Sequence, residues 1–212
     1  MLENILNALP PCPVLALPGP CAPIDLSASG PNAGAQISDA FIETLLLQAG
    51  VRFLAGGYME KRQLYRRSEL FGQDRDIHIG IDLWAPAGTP VLAPLDGTIH
   101  SFNYNPGIGN YGPTIILQHK IDGLTFYTLY GHLSAADLEE LEVGDIIPAG
   151  SELGCLGSRH ENGDYAPHLH FQIIRDLEGN IGDYPGVCRA ADVPHYASNC
   201  PDPNLLLKLD IK

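Results

Sequence analysis

From Trp84 to His132 the chain offers β-formers only in short runs, and each run ends in a turn. Pro86-Ala87-Gly88-Thr89-Pro90 is a turn, Val91-Leu92-Ala93 a strand, Pro94-Leu95-Asp96-Gly97 a turn and Thr98-Ile99-His100 a strand. The loop Asn105-Pro106-Gly107-Ile108-Gly109-Asn110 precedes Thr114-Ile115-Ile116-Leu117-Gln118, and Leu124 to His132 is another strand. Turn signals at this spacing predict an antiparallel β-sandwich or barrel. The 23 glycines and 18 prolines fit a turn-rich, mainly β chain. Further on, Pro167-His168-Leu169-His170-Phe171-Gln172-Ile173-Ile174 reads as one more strand.

Helices are expected to be few. Ser38 is placed to cap a helix over 39–49, in which Phe41, Ile42, Leu45, Leu46 and Ala49 share a face and Gly50 supplies the stop. Ser134 and Asp137 resemble a capping box for a short helix over 135–141. Residues 143–150 and 153–157 are expected to pair as a hairpin, and Leu205-Leu206-Leu207 to dock as a strand. Residues 1–36, rich in Pro, Ala and Gly, are expected to wrap a surface or act as a linker. The organisation is then an N-terminal extension with one helix (1–65), a β-domain (66–180) and a C-terminal tail packed on it (181–212).

The formal charge of −13 argues against nucleic acid and against adhesion to anionic walls or membranes. No apolar run is long enough to span a bilayer. Met1-Leu2-Glu3-Asn4 lacks positive charge, and Pro10, Pro11, Pro13, Pro18 and Pro20 break up the next apolar segment, so no export signal is expected. Cys12, Cys21, Cys155, Cys188 and Cys200 are scattered and odd in number; only Cys188 with Cys200 is worth considering as a pair. These features point to a reducing, cytoplasmic home, with the periplasm or the exterior as the alternative.

Three patterns carry chemistry. On a strand, His168 and His170 share one face while Leu169 and Phe171 share the other. Two such imidazoles can share a metal, or one can ligate while the other works on the water the metal holds; the plainer alternative is a wet strand face. In Ile77-His78-Ile79-Gly80-Ile81-Asp82-Leu83, His78 and Asp82 point to one side of a strand with open space at Gly80. His132 ends a strand, with Tyr130, Thr128 and Phe126 on its face. His100, His119, His160 and His195 fall outside these patterns and read as structural or exposed. Lys61, Arg62, Arg66, Arg67 and Arg75 read as a solvated turn with local ion pairs; holding a substrate carboxylate is the sharper alternative.

Together, His78-x-Gly80-x-Asp82, Tyr130-Gly131-His132-Leu133 and His168-Leu169-His170-Phe171 resemble the M23 zinc metallopeptidases, the lysostaphin- and LytM-like endopeptidases, over roughly residues 75–175. The resemblance implies a LytM-like, duplicated-hybrid-motif β-fold with a groove and a zinc ion (Zn2+) at its floor. It implies His78, Asp82 and His170 as zinc ligands and His132 and His168 as a catalytic pair that does not ligate. The implied activity is hydrolysis of peptide bonds, in peptidoglycan-type glycyl or D-alanyl peptides or a related small peptide or amide. No nucleic-acid or membrane partner is implied. Gly56-Gly57-Tyr58-Met59-Glu60, Glu161-Asn162-Gly163 and Cys200-Pro201-Asp202-Pro203-Asn204 look more like an M23 branch fused to cytosolic aminotransferase and kinase-like domains. The alternatives are an inactive M23-like scaffold that binds a partner, a carrier domain of the biotinyl-lipoyl type, and a metal store or sensor. The carrier lacks a lysine at a hairpin tip, and a store would not require His132 and His168.

Overall fold

The computed structural model describes residues 1–67, 70, 72 and 74–211. In chain order the elements are α1 (Leu2–Ala8), β1 (Cys21–Pro23), α2 (Asp39–Ala49), β2 (Phe53–Gly56), β3 (Glu60–Lys61), β4 (Arg75–His78), β5 (Ile81–Trp84), β6 (Pro90–Leu92), β7 (Gly97–Asn105), β8 (Gly112–Ile121) and β9 (Leu124–Gly131). They continue with β10 (Ile146–Ile147), β11 (Glu152–Cys155), β12 (His168–Ile174), β13 (Val187–Arg189), α3 (Val193–Asn199) and α4 (Asn204–Leu207). An eight-stranded sheet runs β1-β2-β5-β12-β9-β8-β7-β10, flanked by the small sheets β11-β6 and β13-β4-β3. Every pairing is antiparallel except β1 with β2. The mainly β, antiparallel architecture expected from the turn spacing is the one found.

The large sheet has an apolar cluster on each face. Leu169, Phe171 and Ile173 of β12 enter one, with Phe126 and Tyr130 of β9 and Ile115 and Leu117 of β8. Ile116, Leu129 and Ile174 enter the other, with Tyr111 and Tyr184. Each fully buried aliphatic or aromatic side chain contributes roughly 1.5–3 kcal/mol, so β12, buried along its whole length, is held rigidly in register. A strand fixed on both faces makes a suitable platform for side chains that must converge to within a fraction of an ångström.

Helix 39–49 forms as expected: Ser38 Oγ accepts the Phe41 N–H and Gly50 closes the helix in the left-handed region. Other elements depart from expectation. Of the two readings of residues 1–36 the linker fails and the wrapping one stands, since Leu2, Leu6, Val14 and Leu15 are buried against the main core and Leu15 bridges Val91. Residues 77–83 are two strands, not one: β4 joins β3 and β13, whereas β5 joins β2 and β12. The break at Ile79-Gly80 sends Ile77 and Ile79 into one core and Ile81 into the other. Residues 143–157 form no hairpin; β10 pairs with β7 and β11 with β6, because an apolar run specifies a strand without naming its partner. Residues 205–207 lie in the helical turn α4, three leucines in a row carrying no strand periodicity. The helix expected over 135–141 is a 3-10 turn, Ala135–Leu138, and no Ser134 side-chain cap forms; Asp137 instead accepts the Cys155 N–H. All five cysteines are free, Cys188 and Cys200 included.

Candidate metal centre

Strands β5 and β12 lie side by side with His170 opposite Asp82 and His168 opposite Trp84. Because Leu169 and Phe171 are claimed by the core, both histidines must face the other way. His78 arrives from the end of β4, beyond the break. Its Nε2 lies 2.8 Å from His170 Nδ1, and Asp82 Oδ1 lies 3.2 Å from each of these nitrogens. The three residues form a group able to hold a metal ion, and all are buried. Gly80 keeps the space clear, since a Cβ there would come within 2.6 Å of the His170 ring.

The hydrogen bonds around the group fix where its lone pairs point. His78 Nδ1 faces the carbonyl of Gly57 at 2.8 Å; a carbonyl only accepts, so Nδ1 carries the hydrogen and Nε2 a lone pair. His170 Nε2 lies 3.0 Å from Gln172 Oε1, whose amide nitrogen is turned to Pro185 O and Cys200 Sγ, leaving His170 Nδ1 as a lone pair. Asp82 Oδ1 is buried with no hydrogen-bond partner among the described residues. Two imidazole lone pairs and a carboxylate oxygen therefore meet with no hydrogen between them. A cation resolves that conflict. Tetrahedral ligands about 2.0–2.2 Å from zinc lie roughly 3.3–3.6 Å apart, within about half an ångström of the observed triangle, so the residues fit the ion.

His168 and His132 stand beside this triangle. His168 Nδ1 donates to Ala166 O at 2.8 Å, its ring stacks on Trp84, and its Nε2 lies 3.8 Å from Asp82 Oδ1. His132 Nδ1 donates to Asn162 O at 2.8 Å, and the two ring centres are 4.2 Å apart. His132 does not share a face with Tyr130, Thr128 and Phe126, as an unbroken strand would require. Its φ of 65° turns the chain over, and Tyr130 stays in the core against Phe171. Its backbone is pinned by His132 N–H to Tyr111 O and Gly157 N–H to His132 O.

A left-handed residue other than glycine carries about 1–2 kcal/mol of strain, tolerated here for the sake of the imidazole. His132→Gly is therefore expected to be more stable than His132→Ala by about 1 kcal/mol, although both lack the ring. Denaturant unfolding of the two variants measures the difference.

Burial sets the charge states. It pushes His78 down to about 4, helped by the Arg62 charge. It holds His132 well below the ordinary histidine value, reinforced by His168 and His170, and lowers His168 too, with Asp82 acting in the opposite sense. For Asp82, burial works to raise the carboxyl, but the Arg62 charge beside it opposes this and the group is held well below its ordinary value. A cleft of about 310 Å³ opens onto these side chains, walled in part by Leu26, Asn32, Gln36 and Tyr165.

Arg62 is not on a solvated turn. It is 2 % exposed, and Nη1 donates to Asp82 Oδ2 while Nε donates to Glu60. The side chains of Arg66 and Arg67 lie outside the described residues. Gln172 was also missed, though its place two residues beyond His170 on one strand face was a usable signal. Of the remaining histidines, His119 is buried and bonded to Asp96 O and Thr128 Oγ1; His160 and His195 are exposed and His100 is half-buried.

Three converging candidate ligand atoms with a cleft alongside would leave a coordination position open, which a closed structural site does not. The chain belongs to peptidase family M23, whose match covers residues 76–181. It is 38% identical over 96 residues to a DD-carboxypeptidase/endopeptidase of Neisseria meningitidis, covering 45% of this chain and 20% of that protein. It is 32% identical over 97 residues to the peptidoglycan DD-endopeptidase ShyC of Vibrio cholerae, covering 46% of this chain and 20% of that one. The chain thus spans about a fifth of the length of these curated relatives. The lysostaphin catalytic domain of Staphylococcus simulans overlays 76% of this chain and 98% of its own, at 24% identity and a TM-score of 0.46. Among the described residues no helix is long and apolar enough to cross a membrane.

Proposed function

We propose that this chain is a zinc-dependent endopeptidase acting on peptidoglycan-derived peptides, with His78, Asp82 and His170 as ligands and His168 and His132 as the catalytic pair. The observation that carries the reading is the meeting of two imidazole lone pairs with the unpartnered Asp82 Oδ1. Zinc held there supplies a Lewis acid that polarises the scissile carbonyl and acidifies the attacking water. His168, neutral and with Nε2 turned to the cluster, takes the water's proton. Asp82 Oδ1, 3.8 Å away, steadies the imidazolium that results, which favours His168 over His132 as the base. His132 stands beside it, the ring centres 4.2 Å apart; with Nδ1–H held by Asn162 O, its Nε2 can steady the tetrahedral oxyanion only after taking up a proton.

The relatives' names support D-alanyl peptides as substrate. The −13 charge favours soluble fragments over the intact anionic wall. The same names favour the periplasm or exterior over the cytoplasm expected from the N-terminal sequence. Fractionation of the native host decides the compartment.

Elemental analysis of the protein, after chelation and reconstitution at neutral pH, is expected to show one zinc per chain. Hydrolysis of D-alanyl or glycyl peptides is expected to vanish with the metal and return with it. A chain that takes up no transition metal overturns the zinc reading. One that binds zinc yet cleaves neither peptide class is a scaffold.

A further inference from the structure

Arg62 lies outside the family match, which begins at residue 76, yet its guanidinium bonds directly to the candidate ligand Asp82. Its guanidinium is held from several sides. Nε donates to Glu60 Oε2 and Nη1 to Asp82 Oδ2, each at 2.5 Å; Tyr65 Oη lies 3.3 Å from Nη1, and the guanidinium carbon sits 5.7 Å over the Trp84 ring. Gly57 makes the room: a Cβ there would come within 1.8 Å of Arg62 Nη2. Glu60 is itself anchored, because its Oε1 accepts the Leu26 N–H at 3.1 Å, and residue 62 bridges Ser27. Leu26 belongs to the wall of the cleft. A continuous set of bonds thus runs from the N-terminal segment through Glu60 and Arg62 to Asp82.

The two oxygens of Asp82 are used differently. Oδ2 is taken by Arg62, whereas Oδ1 is left bare and faces His78 and His170. A carboxylate beside a metal can ligate through one oxygen or both. Using both fills a coordination position that a hydrolytic centre must keep open for water and substrate. A charge-assisted bond from one guanidinium N–H to one oxygen competes with the ion for that oxygen.

We propose that Arg62 is a positioning residue that keeps Asp82 a one-oxygen ligand and so reserves the open side of the centre. The proposal rests on the zinc reading above. It also makes the peptidase region incomplete on its own, because the residue comes from the segment before it.

The test uses the full chain loaded with Co2+ or Zn2+. X-ray absorption of the zinc-loaded wild type is expected to show one carboxylate oxygen, and two would overturn the proposal without any variant. Arg62→Met is expected to keep full metal stoichiometry and undiminished affinity in chelator competition. Its cobalt absorption should weaken as coordination number rises, and kcat should fall roughly 10–100-fold, the usual effect of losing an outer partner of a ligand, with KM unmoved. Arg62→Lys, which keeps a cation beside Oδ2, is expected to retain the wild-type cobalt spectrum. An Arg62→Met variant that loses affinity and activity together, or a Lys variant with the Met spectrum, sinks the proposal. A wild type that takes up neither metal instead refutes the zinc reading.

Discussion

Replacing His170 by alanine is expected to empty the centre, whereas replacing His168 leaves it loaded but slow. The two residues sit two apart on one buried strand face, and the distances separate them. His170 Nδ1 is 2.8 Å from His78 Nε2 and 3.2 Å from Asp82 Oδ1; His168 Nε2 stands back at 3.8 Å from the same oxygen. Losing one of three ligands should cost more metal affinity than the roughly 10–100-fold lost with an outer partner. Losing a positioned proton-transfer group should lower turnover roughly 10²–10⁴-fold with zinc retained. His132→Ala should behave as His168→Ala, and the double variant should be less than additive if the pair acts as a unit. Metal content and hydrolysis rate on the same preparations decide it. Zinc lost from His168→Ala but kept in His170→Ala would reverse the assignment.

Acid should unfold the metal-free protein well before it protonates most surface carboxylates. His78, His132 and His168 are buried neutral, with proton affinities lower in the folded chain than in the unfolded one. As pH falls below about 6.5, the unfolded chain takes up protons first, so stability is present above that value and is lost as pH drops. For His78, lowered to about 4, the loss between pH 6.5 and 4 is about 3 kcal/mol, a large part of a typical domain's margin. Asp82, held low, adds to the loss in the same direction below the carboxylate range. Thermal melts of chelator-treated protein from pH 7.5 to 4 should show Tm falling throughout the histidine range. A flat Tm down to pH 5 would mean that the imidazoles are charged or exposed in the folded state. Zinc affinity should fall over the same range, because the unfolding that protonation drives separates the candidate ligands.

Much of this was legible in the sequence, for identifiable reasons. Turn residues gave the β-architecture, and the alternation of His168 and His170 with Leu169 and Phe171 gave the face. The i,i+4 spacing of His78 and Asp82 pointed to their meeting, but the mechanism differs from the one the alternation implied. A single strand would have set them side by side; instead the chain breaks at Gly80 and delivers them from two sheets. His132 was found by its motif, while its orientation depends on a left-handed φ that no residue pattern announces. Arg62 was misjudged because it lies in a run of basic residues, and a run of charge reads as solvated. Its burial depends on Glu60 and Asp82, partners that local sequence does not reveal.

Three of the four imidazoles at the centre are oriented by main-chain carbonyls: those of Gly57, Ala166 and Asn162. Only His170 relies on a side chain, Gln172. A carbonyl is present whatever residue occupies the position, so the tautomers survive most substitutions that preserve the backbone path. Exposed side chains on the surrounding loops are correspondingly free to drift under selection. The walls of the cleft can therefore change by substitution while the orientation of the four imidazoles stays fixed.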